Sequence, residues 1–194
     1  MYRVIAYRVR METLIIFLKG KKMNWKRNIV LMVLIATVTI SGHVFANTAE
    51  GCTPGFWKNH PACWCDSYTE ATLISDVFSG LQAAPYDTID DADRKSDFDN
   101  DNLQDALRYR GGGGLAGSVR NMLRHATTAL LNGCSSDVAY PISGLGVIDL
   151  VEYALDSQDI GMIQDVHIIL AMWNEDAPCP IDSQCRRDDE VKDD

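Results

Sequence analysis

From residue 115 to residue 173 the apolar positions recur at helical spacing. Leu115, Val119, Met122, Leu123, Ala126, Leu130 and Leu131 trace one face of a helix, and Gly133 stands where a C-terminal stop is expected. After Tyr140-Pro141, Ser143 is placed to cap a second helix with Val147, Ile148, Val151 and Leu155 on one side. Asp159 is placed to cap a third, which carries Ile163, Val166, Leu170 and Trp173 and ends before Pro178 and Pro180. Upstream, Ser67-Tyr68-Thr69-Glu70 has the form of a capping box and predicts a helix to about Gly80 that buries Leu73 and Val77. Residues 81–102 form a polar, Asp-rich connection. A short helix is expected over Leu103 to Tyr109, ended by Gly111-Gly112-Gly113-Gly114. No long stretch alternates with the period of two that a strand requires. The expected fold class is mainly α: a small disulfide-stapled helical domain with an extended N-terminal turn and an acidic loop.

A different pattern precedes this domain. Lys21, Lys22, Lys26 and Arg27 form a basic region, Ile29 to Ile40 is nearly all apolar, and Val44-Phe45-Ala46 offers small residues for signal peptidase. Residues 1–46 therefore read as a signal peptide, cleaved after Ala46, and membrane contact is expected only through it before cleavage. The apolar run is short for a spanning helix. Glu50 just before Cys52 argues against a lipoprotein. Met23 makes a cleaner start than Met1, so residues 1–22 read either as a mis-assigned start or as a long n-region. The secreted helical domain is expected over 47–185, with a charged, frayed tail over 186–194.

Composition sharpens this picture. Of 18 Lys+Arg, 8 precede residue 47, and of 27 Asp+Glu only Glu12 does. Ten basic residues then face 26 acidic ones, a formal net charge of −16. So acidic a surface repels phosphate backbones, which excludes nucleic acid as the expected partner. All six cysteines, at 52, 63, 65, 134, 179 and 185, lie after the signal. An even count in an exported chain reads first as three disulfides, and second as a metal or redox pair at Cys63-Trp64-Cys65.

Several constellations are candidates for chemistry. Trp57 and Trp64 are of a type that stacks on sugar rings, with Lys58, Asn59 and His60 supplying donors. The competing reading has Pro54-Gly55 as a tight turn and the aromatics packed on the core. Arg124 and His125 could join Lys58 and His60 in a polar cleft suited to acid–base or anion-binding chemistry. The plainer reading pairs Arg124 with surplus acids beside a half-exposed His125, and His167 in the last helix reads as a partly buried, satisfied histidine. Asp97, Asp99, Asp101 and Asp105 follow the ligand spacing of a calcium loop. Asn102 replaces its turn glycine, and Arg108 stands where a bidentate Glu belongs. Against calcium, Asp101 or Asn102 can simply cap the helix at Leu103. The glycine run lacks the Lys-Ser or Lys-Thr of a phosphate loop. A Gly-x-Ser-x-Gly elbow, a His-Glu-x-x-His helix and a paired-carboxylate site are all missing from the sequence.

Cys52-Thr53-Pro54-Gly55-Phe56-Trp57-Lys58-Asn59-His60-Pro61 resembles the opening signature of a family of bacterial extracellular proteins, the CTPGFWKNHP-motif domains. The later order is similar too: Asn102 to Leu107 before the glycine run, Leu123-Arg124-His125-Ala126, Ala129 to Asn132, Tyr140-Pro141, and Trp173-Asn174 ahead of Cys179-Pro180. The resemblance covers most of residues 52–181. It implies a secreted or cell-surface module and carries no catalytic assignment. It also favours a Cys52–Cys179 bridge, which by loop closure contributes about 4–5 kcal/mol. One of Cys63 and Cys65 is then expected to join Cys134 and the other Cys185. Cys63 and Cys65 themselves depart from the family pattern, as does the lack of a sorting signal or anchor, which implies a free rather than wall-anchored protein. The function expected is a secreted structural or interaction module of the cell surface or matrix, extracellular or periplasmic, without catalysis or cofactor, meeting an extracellular protein or polysaccharide. The alternatives are a calcium- or glycan-binding module and an envelope-polymer hydrolase using His60 and His125.

Overall fold

The computed structural model describes residues 49–83, 85–86 and 98–186, all within one compact unit, Thr48–Asp194. Residues 1–46, expected to be a signal peptide, and Asp97 lie outside the described residues. The described residues form helices α1 (Pro54–Asn59), α2 (Ile74–Val77), α3 (Leu103–Ala106), α4 (Gly114–Cys134), α5 (Gly144–Ser157) and α6 (Ile160–Glu175), with 3-10 turns at Pro61–Cys63 and Ser79–Gln82. Among them there is no strand; Leu73 and Asn102 form an isolated antiparallel bridge.

α4 is the central post. A one-faced helix would leave half its surface in water, yet α4 is buried nearly all round from Gly117 to Asn132, because α6 and α5 pack on it and α1 and α3 meet it too. Two of its buried polar residues bond locally: Thr128 Oγ1 donates to the Arg124 carbonyl at 2.9 Å and Ser118 Oγ to the Gly114 carbonyl at 3.0 Å. The main core joins Met122, Leu123 and Leu130 of α4 to Val147 and Val151 of α5 and Ile163 of α6. A second, smaller core gathers Trp57, Leu107, Leu131, Val138 and Ile181 around Cys52.

The caps of α5 and α6 are those the sequence predicts. Ser143 Oγ accepts from the Gly146 N–H at 3.3 Å, and Asp159 Oδ1 accepts from Gly161 at 2.8 Å and Met162 at 3.4 Å. Gly133 is different. It lies inside α4, and a Cβ there would meet the Ile142 carbonyl at 2.8 Å and the Gly144 nitrogen at 2.9 Å. The glycine lets the start of α5 approach α4 closely; it does not end the helix.

The predicted helix from Ser67 to Gly80 does not form. Thr72 Oγ1 accepts from the Thr69 N–H at 3.0 Å and closes a turn instead, leaving Ser67 and Glu70 exposed. Leu73 is then extended, with ψ 139°, and bridges Asn102. Through that bridge Ile74 N–H donates to the Asp101 carbonyl at 3.0 Å and Leu103 N–H to the Thr72 carbonyl at 2.9 Å. Two short helices thus satisfy their orphan N-terminal donors on each other's chain, which no local signal encodes. Ile74, Phe78 and Leu81 are the buried residues here, while Leu73 and Val77 stay half-buried. The Asp-rich connection also reaches the core: Tyr86 and Phe98 are buried, and Tyr86 OH donates to the Leu155 carbonyl at 2.8 Å.

Three disulfides tie the unit: Cys52–Cys179, Cys63–Cys185 and Cys65–Cys134. No described cysteine remains as a thiol, so Cys63 and Cys65 form neither a redox pair nor a metal pair. Arg186, expected in the frayed tail, is held in a ring with Asp182: Nη2 lies 3.0 Å from Asp182 Oδ2, and the Arg186 N–H donates to Oδ1 at 3.0 Å.

Candidate functional site

The opening motif builds a helix, not merely a turn. Thr53 Oγ1 accepts from the Phe56 N–H at 3.2 Å, and Pro54, with its preset φ, occupies the first helical position. α1 turns Trp57 inward, where it is 0% exposed and its Nε1 donates to Asn132 Oδ1 at 2.9 Å. Trp64, half-buried, donates from Nε1 to the Trp57 carbonyl at 3.0 Å. Trp57 therefore has no open ring face for a sugar. His60 stacks on Phe56, ring centroids 4.6 Å apart, with Nδ1 2.9 Å from the Phe56 carbonyl.

Asn132 is the centre of this junction, and sequence reasoning missed its role. Besides Trp57, its Oδ1 accepts from the Cys52 N–H at 2.9 Å. Its Nδ2 donates to the Cys52 carbonyl at 3.0 Å and to Asn174 Oδ1 at 3.1 Å. Asn174 also takes the Tyr140 hydroxyl at 2.8 Å and donates to the His125 carbonyl at 2.9 Å. Both asparagines are 0% exposed. Asn132 lies off the apolar face traced by Val119, Ala126 and Leu130, so helical periodicity gave no signal for it.

His125 is 6% exposed. Its ring centroid lies 5.1 Å from that of His167, and its Nε2 is 3.9 Å from Glu175 Oε1, beyond hydrogen-bond reach. Burial, helped by the nearby His167 and Arg124, lowers its pKa to about 4, so it is neutral at neutral pH. His60 and His125 engage different neighbours, and His125 is too buried to open onto a cleft. Among the described residues no hydrogen bond or ring contact links His60 to His125.

The acidic residues take structural work. Asp105 and Asn102 form a reciprocal capping box at α3, with Asn102 Oδ1 accepting from the Asp105 N–H at 2.9 Å. Asp101 Oδ2 accepts the Tyr109 hydroxyl at 2.8 Å, and burial first, then this bond, raises the Tyr109 pKa. The Asp99 carbonyl accepts from Ser75 Oγ at 3.3 Å. Among the described residues no group of three or more His, Cys, Asp or Glu is gathered to hold a metal ion. α3 begins at Leu103 with Asn102 as its cap, so of the calcium-spaced residues Asp105 lies within the helix.

What the fold does bring together is cationic. Lys58 and Asn59 at the end of α1, Leu107 to Arg110 beyond α3, and Arg124 on α4 line a pocket of about 520 Å³. Four basic side chains and no acidic one border it. Of the six residues first singled out as binding candidates, Lys58, Asn59 and Arg124 meet here, while Trp57, His60 and His125 do not line it.

Compared with family models, curated proteins and solved structures, the chain has no match.

Proposed function

We propose that this chain is an exported, non-catalytic interaction module of the bacterial cell surface or extracellular matrix. The observation that carries this reading is the junction of Cys52, Trp57 and Asn132. Here the most distinctive side chain of the opening motif is spent on closing the fold, with Cys179 bridged to the same point. Three disulfides support an oxidising compartment, and they add stability that a modest core does not supply by itself. Among the described residues no helix is long and apolar enough to cross a membrane.

The test pairs two assays on the oxidised, exported protein. Co-sedimentation with bacterial envelopes and matrix polysaccharide should retain it without releasing soluble polymer fragments. Fragment release that disappears in both His60→Gln and His125→Gln would overturn the reading in favour of a hydrolase. Recovery of the chain from the cytoplasm with six reduced thiols would overturn export.

A further inference from the structure

The basic pocket stands out against the charge of everything around it. Beyond residue 46 the chain has 10 basic and 26 acidic residues, yet four of those ten, Lys58, Arg108, Arg110 and Arg124, line one concavity. In so acidic a chain, cations are expected to pair with carboxylates. Here Arg108 reaches one only at 3.7 Å, on Asp105, and among the described residues Lys58, Arg110 and Arg124 have no carboxylate within 4.0 Å. Grouping like charges without counter-charges is unfavourable unless an anion relieves it. Arg124 adds a second observation: its Nε is buried without any protein acceptor. No hydrogen bond of this Nε commits the Arg124 guanidinium to another group of the fold.

The walls are also held from behind. Gln104, 7% exposed, donates from Nε2 to the Lys58 carbonyl at 3.0 Å, and Arg120, 3% exposed, donates from Nε to the Arg110 carbonyl at 3.1 Å. Each buried polar side chain fixes the backbone of one pocket cation, while Arg124 rides on the central helix. Cations held on a rigid frame lose little entropy when they close on a ligand.

We propose that this pocket is a binding site for a compact ligand bearing two or more oxyanions, phosphate or carboxylate. Its volume suits a small molecule or a single charged sugar unit. The surplus of acid over the rest of the chain disfavours a long polyanion, which would have to cross that field. Arginine predominates because its planar fork takes two oxyanion oxygens at once. The site is independent of the interaction-module reading: a hydrolase could carry it, and a module could lack it.

Isothermal titration of the oxidised protein with pyrophosphate and with citrate, at low and at physiological salt, tests it. We expect binding in the range of roughly 0.1–1 mM at low salt that weakens as salt rises. Arg124→Gln and Arg110→Gln should each weaken it by about 10-fold, the loss of one charge-assisted contact. Arg186→Gln, whose arginine pairs with Asp182, should leave it unchanged. Lys58→Gln serves as a second probe should Arg124→Gln not fold, and it should also weaken binding. A response to pyrophosphate alone assigns a phosphoryl ligand, and to citrate alone a carboxylate one. Absence of heat from both probes at about 5 mM in low salt, or binding that survives the pocket variants, would overturn the proposal.

Discussion

Replacing Asn132 with alanine should be among the most damaging single changes available to this fold. The carboxamide makes four hydrogen bonds: two from Oδ1 to the Cys52 and Trp57 donors, and two from Nδ2 to the Cys52 carbonyl and Asn174. Asn174 Oδ1 keeps the Tyr140 hydroxyl after the change, so three groups are orphaned: the Cys52 N–H, the Cys52 carbonyl and the Trp57 indole N–H. Each lies at a 0% exposed residue and costs about 1–3 kcal/mol when left unmatched. The void left by the side chain is polar and can admit a water, which brings the sum toward its lower half. We expect a loss of about 4–5 kcal/mol, a large fraction of the roughly 5–15 kcal/mol typical of a domain. Guanidinium unfolding with disulfides intact measures it, the midpoint falling at constant slope. Asn132→Asp should be no better, since it lacks both donors and buries a charge. Asn174→Ala should couple to Asn132→Ala, so that the pair costs less than the sum of the two. A loss below about 1.5 kcal/mol for Asn132→Ala would refute the reasoning, because the buried groups would then have found other partners.

Three further outcomes are expected. Cys52→Ala with Cys179→Ala should cost about 3 kcal/mol rather than 5. With Cys63–Cys185 intact the removed bridge closes a loop of only about 17 residues, and denaturant titration distinguishes the two values. The folded pKa of His125, about 4, lies below its unfolded value of 6.5, so the unfolded chain binds the extra proton. The contribution of His125 is full above pH 6.5 and falls by about 2–3 kcal/mol as pH drops toward 4, a slope that thermal unfolding should show and His125→Gln should flatten. Asp159→Ala removes the acceptor for Gly161 and Met162 at the start of α6 and should cost about 1–2 kcal/mol, read from the same denaturant curves.

Sequence alone determined whatever depends on neighbours along the chain. Ser143 and Asp159 cap their helices through bonds spanning two or three residues, and the apolar stripes of α5 and α6 face the core they predict. The mainly helical class follows from those periods, and the six cysteines do pair as three disulfides. Tertiary structure decided the rest, because the deciding contacts are distant in sequence. Ser67 to Gly80 carries a sound local helix signal, but the bridge from Leu73 to Asn102 adds two backbone hydrogen bonds between distant segments, and Ile74, Phe78 and Leu81 are the residues buried. Which partner Cys63 takes depends on where residue 185 arrives, a matter of packing. Asn132 looks like a polar residue off the apolar face until Cys52, 80 residues away, comes to rest against it. Lys58, Arg108, Arg110 and Arg124 are scattered cations in the sequence and one pocket in the fold, because α1, the turn after α3, and α4 converge there. Periodicity can show which face of a helix is apolar, but only packing shows what that face, or the polar residue within it, will meet.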